Sequence, residues 1–368
     1  MTDLQLKIAL SIIPNVGPRL VRRLVAYAGS VEAVFHERKR ALEKIPGIGE
    51  GKASFVQSGS RLLETAAREI EYVNKEGIVP MFYLDKNYPL RLKECEDAPV
   101  ILYVKGNVDF NAQKVISIVG TRKASEYGRI CTEEIVEYLA AGYPELVIVS
   151  GLAYGIDIAA HKAAMKNHLS TIAALAHGFD FLYPSLHARH AEKILEQGAL
   201  VTEFRGERKP DPGNFVSRNR IIAGLADATV IIESAVKGGA LITAELANSY
   251  NRDVFAVPGK STDTYSKGCN NLIKYNRAAL IENGRDLEYA MGWYREKEKP
   301  QVTQKSLFTD LSPDEEKIMS FLSERENSSL DEICISLGMP VAKVSSSLIN
   351  LEFNGLVRPQ PGKYYAKT

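Results

Sequence analysis

Arg122, Arg218 and Arg220 each lie close to a glycine-bearing turn, and that combination can hold phosphate. The apolar run Ala228–Ile232 reads as a buried strand. Gly238-Gly239 follows it, and an apolar-periodic run from Ala240 to Tyr250 reads as a helix. A glycine turn between a buried strand and a helix presents free backbone N–H groups to anions. Arg218 and Arg220 upstream, with Lys237 at the turn, would supply the cations. The same composition also fits an ordinary tight turn in any doubly wound sheet.

Two more strand-to-loop junctions repeat the theme. Val115–Val119 ends in Gly120-Thr121-Arg122, and Leu146–Val149 ends in Ser150-Gly151. Parallel strands joined through helices bring such loops together at the strands' carboxyl ends. No Gly-Lys-Ser/Thr follows a strand, and no complete G-x-G-x-x-G precedes an acid placed for a ribose, which disfavours nicotinamide chemistry.

Other reactive side chains have two readings each. Asp157 and His161 fall at i and i+4, where a carboxylate can orient a histidine. Without a third ligand at helical spacing, a helix cap and a structural hydrogen bond account for them better. Glu233 ends a strand at the rim, and Glu245 lies in the next helix as a general acid or base, a solvated residue or an arginine partner. Ser150 and Ser217 lack the G-x-S-x-G context of a nucleophile. Phe215 reads as part of a loop after Pro210, Pro212 and Gly213. Its ring either plugs the core or stacks on a nucleobase for about 1–3 kcal/mol.

These residues need a frame. From about Lys114 to Ala290, β-branched runs alternate with helical patterns, which predicts an α/β doubly wound sheet. Val100–Val104, Thr171–Leu175 and Val254–Val257 are further strand candidates. Residues 1–72 read as a helical domain with two glycine breaks, Ile13–Pro18 and Ile45–Gly49, similar to helix–hairpin–helix (SAM-like) turns. Arg19, Arg22, Arg23 and Lys52 follow the breaks, as phosphate contacts or as a solvated basic face. The core then covers 73–294, a polar linker 295–310, and a winged-helix domain 311–368. The candidate recognition helix Val341–Phe353 offers only Lys343, Ser345–Ser347 and Asn350, in a module with eight acids against six bases. That favours a protein-interaction wing over a DNA reader.

At 368 residues the chain has room for two or three domains. Its net charge of +1 neither demands nor excludes a polyanion, but residues 1–65 carry ten Lys/Arg against six Asp/Glu. Four scattered cysteines form no C-x-x-C pair, which fits a reducing cytoplasm and no structural zinc. No apolar run approaches a membrane span and the N-terminus lacks a signal-peptide pattern.

Several ordered motifs together resemble the DNA-processing protein DprA (Smf) family. They are Ile118–Arg122, Ser150–Met165, Gly178–Pro184, Phe215–Leu225, Ala240–Ala244, Val254–Gly259 and Gly268–Ile273. The resemblance implies an extended Rossmann-like core that binds single-stranded DNA without cutting it. It also implies protection of incoming DNA in natural transformation, loading of the RecA recombinase and a homodimer through the core. By the same resemblance Arg122 holds phosphate. The Phe-x-x-Arg-Asn-Arg segment supplies a stacking ring, Phe215, with the cations Arg218 and Arg220, and encloses Ser217 and Asn219. Gly120, Thr121, Ser150, Gly151, Lys237, Gly238 and Gly239 complete the expected site. Two departures stand out: Pro212 replaces a family lysine, for which Arg208 or Lys209 are substitutes, and Asn276-Arg277 replaces Gly-Ala. No catalytic residue, cofactor, metal or membrane contact is expected. Two rival readings are a Rossmann-like nucleotide phosphoribohydrolase, using Arg218 and Glu245 on a P-G-G-x-G-T-x-x-E-like turn, and a winged-helix transcription regulator.

Overall fold

The computed structural model describes residues 1–293, 311–323, 325, 327–360 and 364–367. The linker expected at 295–310 and the hairpin tip at 361–363 lie outside the described residues. The chain divides into two compact units, Met1–Arg295 and Glu296–Thr368.

A nine-stranded sheet organises the first unit. Its strands are β1 (Val79–Phe82), β2 (Ile101–Gly106), β3 (Val115–Val119), β4 (Val147–Ser150), β5 (Thr171–Ala174), β6 (Ala199–Thr202), β7 (Ala228–Ile231), β8 (Asp253–Ala256) and β9 (Ala279–Leu280). Their order is β1-β2-β6-β5-β4-β3-β7-β8-β9. β1–β2 and β2–β6 pair antiparallel, and every other neighbour is parallel.

Strands β3 to β7 are buried along their whole length, which is why they read as unbroken apolar runs. Alternate side chains enter two different cores. Ile116 and Ile118 pack in one with Ile135, Leu139 and Ala160. Val115 and Val119 pack in the other with Ile221, Ile222, Ala240 and Ala244. The strand order reverses beside β3: β4, β5 and β6 extend one way, and β7 returns to its opposite flank. A crevice opens outside the carboxyl ends at such a reversal.

The front helices, from Asp3–Ser11 to Gly59–Glu76, share the second of these cores. Their two glycine breaks pack together. A methyl on Gly47 (φ +88°) would lie 2.9 Å from Leu20 Cδ2, and Arg23 Nη1 donates to Pro46 O at 3.2 Å. The cations named for these turns are engaged within the protein. Arg19 pairs with Glu96, Arg22 lies over the Tyr83 ring, and Lys52 Nζ donates to Gly47 O.

In the second unit, helices Pro313–Ser323, Leu330–Leu337 and Val341–Phe353 pack with a small antiparallel sheet. Its strands are β10 (Ser328–Ser329), β11 (Val357–Gln360) and β12 (Tyr364–Lys367), ordered β10-β12-β11. Ser329 and Glu332 form a capping box, and Gly338 ends the middle helix at φ +61°. This is a winged helix. Lys343, the lone cation of its third helix, pairs with Asp314 at 2.6 Å. Among the described residues no single helix is long and apolar enough to cross a membrane.

Candidate nucleic-acid interface

The crevice beside β3 holds a cavity of about 310 Å³. Thr121, Arg122, Asp157, Phe215, Arg218, Asn219 and the Gly238-Gly239 turn all line it.

One wall is the loop after β3. Gly120 must be small here, since a methyl would lie 2.5 Å from Ile156 Cγ1. Thr121 N donates to Glu233 O at 2.7 Å, which fastens this loop to the end of β7. Glu233 is buried and accepts from both the backbone N–H and the hydroxyl of Ser125, the N-cap of helix Glu126–Gly142. That carboxylate is structural. The loop leaves Arg122 exposed, and among the described residues it has no carboxylate partner. Its Cζ lies 5.0 Å from the centre of the Phe215 ring.

The opposite wall is helix Pro212–Leu225. The sequence reading placed Phe215 in a loop, and this is corrected. Asp211 is an N-cap accepting from Gly213 N at 2.9 Å, with Pro212 at the first helical turn, where its missing N–H costs nothing. Phe215, Arg218 and Asn219 therefore share one face at i, i+3 and i+4. Arg218 Cζ is 5.9 Å from the Phe215 ring centre, and Tyr183 meets that ring edge-on at 5.7 Å. Two guanidinium groups on one ring form a favourable cation–π cluster.

Arg218 is almost fully buried, at 4% exposure. Its Nη1 donates to Ala174 O, at the end of β5, at 2.9 Å, and its Nε has no partner among the described residues. Asp157 lies beside it. A methyl on Gly151 would fall 1.6 Å from Arg218 Nη1 and 2.6 Å from Asp157 Oδ2, so both groups converge on the space that Gly151 leaves empty. Burial pushes the Asp157 carboxyl above its ordinary range, while Arg218 and the N–H groups of Ala153 and Gly120 pull it back.

The third wall is the glycine turn. Helix Gly239–Ser249 has Gly238 as N-cap and no side-chain cap; Gly238 N donates to Ala235 O and Leu241 N to Gly238 O, which leaves the N–H groups of Gly239 and Ala240, both lining the cavity, for an anion. Nothing lies within 4 Å of a methyl placed on Gly239.

Five expected site residues do not line the cavity: Arg220, Ser150, Ser217, Lys237 and Gly151. Arg220, on the far side of its helix, pairs with Glu203 and donates to Asp97 O, so its charge is spent inside the protein. It is withdrawn as a phosphate ligand. Ser150 is fully buried, and its hydroxyl donates to Ile118 O at 2.6 Å. Ser217 is exposed, with its hydroxyl turned to Gly213 O at 3.4 Å. Lys237 is exposed at the turn but does not line the cavity. Gly151 acts by its smallness rather than by a contact of its own. Asp157, Tyr183 and Tyr265 were not foreseen here. Asp157 and Tyr183 fall inside motifs already noted, which was the available signal.

His161 behaves as a core residue. Its Nδ1 is 2.8 Å from Thr171 Oγ1, whose hydroxyl donates to Ile148 O, so Nδ1 carries the proton. Burial, with Arg218 and His187 adding repulsion, drives its pKa down to about 3 from 6.5. A depressed folded-state pKa contributes stability that is present above 6.5 and lost as pH falls toward about 3. His161→Gln is expected to flatten the acid limb of the stability profile by up to about 1.4 kcal/mol per pH unit in that window. Urea unfolding of both proteins across it is the check, and identical slopes would contradict the assignment.

Glu245, the acid required by the phosphoribohydrolase reading, points away. It is exposed and pairs with Arg277 at 3.5 Å. Asn276 adopts the left-handed helix end at φ +54°. Among the described residues no group of three or more His, Cys, Asp or Glu is placed to hold a metal.

A family model described as DNA recombination-mediator protein A matches residues 80–292, and one described as DprA winged helix domain matches residues 303–363. The chain is 32% identical to Protein Smf of Synechocystis over 98% of each sequence. It is 41% identical to DNA processing protein DprA of Streptococcus pneumoniae, over 55% of this chain and 71% of that one. The X-ray structure of the latter superposes with a TM-score of 0.64 at 31% identity, covering 78% of this chain and 98% of that one. A structure of DNA processing protein A from Helicobacter pylori, described for its single-stranded DNA binding mode, gives 0.53 at 27% identity, covering 58% and 95%.

Proposed function

The chain belongs to the DNA recombination-mediator protein A (DprA/Smf) family, and from that premise we propose that it binds single-stranded DNA and does not cut it. One observation carries the reading: an exposed Arg122, without a carboxylate partner among the described residues, stands over the Phe215 ring, and Gly239 and Ala240, whose N–H groups are left over at the helix start, line the same cavity. Cations and N–H donors suit phosphates of any sequence, and an aromatic ring in the cavity lining suits any base. Among the described residues lining the cavity, Asp157 is the one carboxylate, and its neighbours are Arg218 and two backbone N–H groups. With Glu245 turned outward, nothing here resembles a positioned acid–base pair.

Arg122→Ala is expected to weaken binding of oligo-dT by about 1–3 kcal/mol and to reduce the salt slope by about one. Titration by fluorescence anisotropy across a salt series measures both. Unchanged affinity and slope would remove Arg122 from the site.

Protection of incoming strands, loading of a RecA-type recombinase, a homodimer and a cytoplasmic setting belong to the same proposal. Pairing through the β9 edge finds support in Tyr275 and Leu280, which are 65% and 50% exposed. The helical front at 1–72, which shares a core with the sheet, and the winged tail at 311–368 are proposed as the domains flanking the strand-binding core. The third helix of the winged tail has one cation, Lys343, already paired with Asp314, which favours a protein partner over base readout.

A further inference from the structure

A second groove begins where the crevice ends. Gly155 opens helix Ile156–Lys166 and lies against the loop after β3. Ile156 N donates to Thr121 O at 3.2 Å, and a methyl on Gly155 would lie 2.7 Å from the carbonyl carbon of Arg122. From Gly155 two adjoining hollows, of about 300 and 370 Å³, follow this helix and share Lys162 and Lys166. Helix Glu126–Gly142 walls the first and helix Ala188–Gln197 the second. Ile158, Ala159 and Met165 give an apolar floor, and four cations, Arg129, Lys162, Lys166 and Lys193, stand against two carboxylates, Glu133 and Glu196. That is a local excess of +2, where the whole chain carries +1. Arg129 pairs with Glu126 and Lys166 with Glu133. Lys162 and Lys193 are exposed and have no carboxylate partner among the described residues. They also act on one point: burial, then the charges of Lys162, His187 and Lys193, push the His190 imidazole below its ordinary range. Like charges gathered this way repel one another, and a polyanion relieves the repulsion.

We propose that the strand, on leaving the crevice, turns past Gly155 and follows this groove, with phosphates on Lys162 and Lys193 and sugars on the apolar floor. The inference rests on the reading of the crevice as a single-strand site and lengthens the bound segment beyond it. Tyr154, exposed at the bend, offers a ring where the strand changes direction. Lys162 follows the helix start by six residues, about 9 Å at the α-helical rise, so a few extra nucleotides reach it. Continuity selects the occupant, because one unpaired chain then fills crevice and groove together. A duplex keeps its direction over about 150 bp and cannot make the turn at Gly155. An acidic protein segment would match the charge of the groove and leave it unconnected to the crevice.

The test titrates the full chain with an oligo-dT series from 4 to 20 nucleotides, comparing the natural protein with the double variant Lys162→Ala, Lys193→Ala. Comparing the two proteins at each length cancels the extra registers that a longer strand offers. The shortest strand that binds should bind both alike. For the 20-mer the variant should be about 10- to 25-fold weaker at 0.1 M salt, with a salt slope lower by about 1.4, the effect of two single-strand phosphate contacts. A 20-mer with natural phosphates at its six central linkages and uncharged methylphosphonates outside them gives a second readout. It should bind the two proteins equally. An equal loss at every length would show the lysines acting only through the general field, and no loss at any length would leave the groove to another partner. Either result overturns this inference and leaves strand binding in the crevice standing. Failure of the natural protein to bind any member of the series overturns both.

Discussion

Arg218→Ala is expected to lower the free energy of unfolding by about 3–5 kcal/mol, the usual cost of stranding one member of a buried charge pair. Three consequences combine. The Asp157 carboxylate loses its neighbouring cation in an almost fully buried position, Ala174 O loses a donor, and Phe215 loses a guanidinium from its ring. Urea unfolding near neutral pH measures the loss. The sign of its pH dependence follows from Asp157, whose folded-state pKa is already raised by burial and must rise further without Arg218. Such a group costs stability when ionised, so the deficit should shrink as pH falls into the carboxylate range and grow as pH rises. Adding Asp157→Asn should recover part of the loss, giving a coupling energy of about 1–3 kcal/mol in a double-mutant cycle. A fully additive cycle would show that the two residues do not act together.

Gly151→Ala is the second large effect. One methyl placed 1.6 Å from Arg218 Nη1 cannot be absorbed without moving that guanidinium, which is fixed to Ala174 O. Overpacking of this kind costs about 1–3 kcal/mol of stability. Displacing Arg218 also disturbs Phe215, so oligo-dT affinity should fall by about 10- to 100-fold, or roughly 1.4–2.8 kcal/mol. Gly239→Ala is the control. That position meets only open space, and its stability should stay within about 0.5 kcal/mol of the natural protein. Equal behaviour of the two variants would mean that Gly151 is not making room for the arginine.

Legibility in the sequence followed burial. Val115–Val119, buried on both faces, appears in the fold with the bounds its composition implied, and Val341–Phe353 does likewise. β1, β6 and β9 were not separated from their surroundings. β9 has two residues, too few for a pattern to register, and β1 is interrupted by Pro80. The cap Asp211 with Pro212 behind it was readable, but three breakers close together looked like loop. The arginines divide on the same physical ground. Arg218 and Arg220 are two positions apart on a helix and must face different ways, so only one can reach the crevice. Which one reaches it depends on Glu203, seventeen residues upstream of Arg220 and visible as its partner only in three dimensions. Asp157 was assigned as a cap because its true neighbour, Arg218, lies on another helix of the sheet's far side.

The central claim is that an unpaired strand is held, unbroken, in the crevice beside β3. The most direct measurement is anisotropy titration of one oligonucleotide, single-stranded and as its duplex, across a salt series, with the strand recovered afterwards and weighed by mass spectrometry. The account predicts that the single strand binds at least about tenfold more tightly, that log K falls linearly with log salt, and that the strand returns at full mass. Equal or tighter binding of the duplex, or a shortened or base-depleted strand, would contradict it.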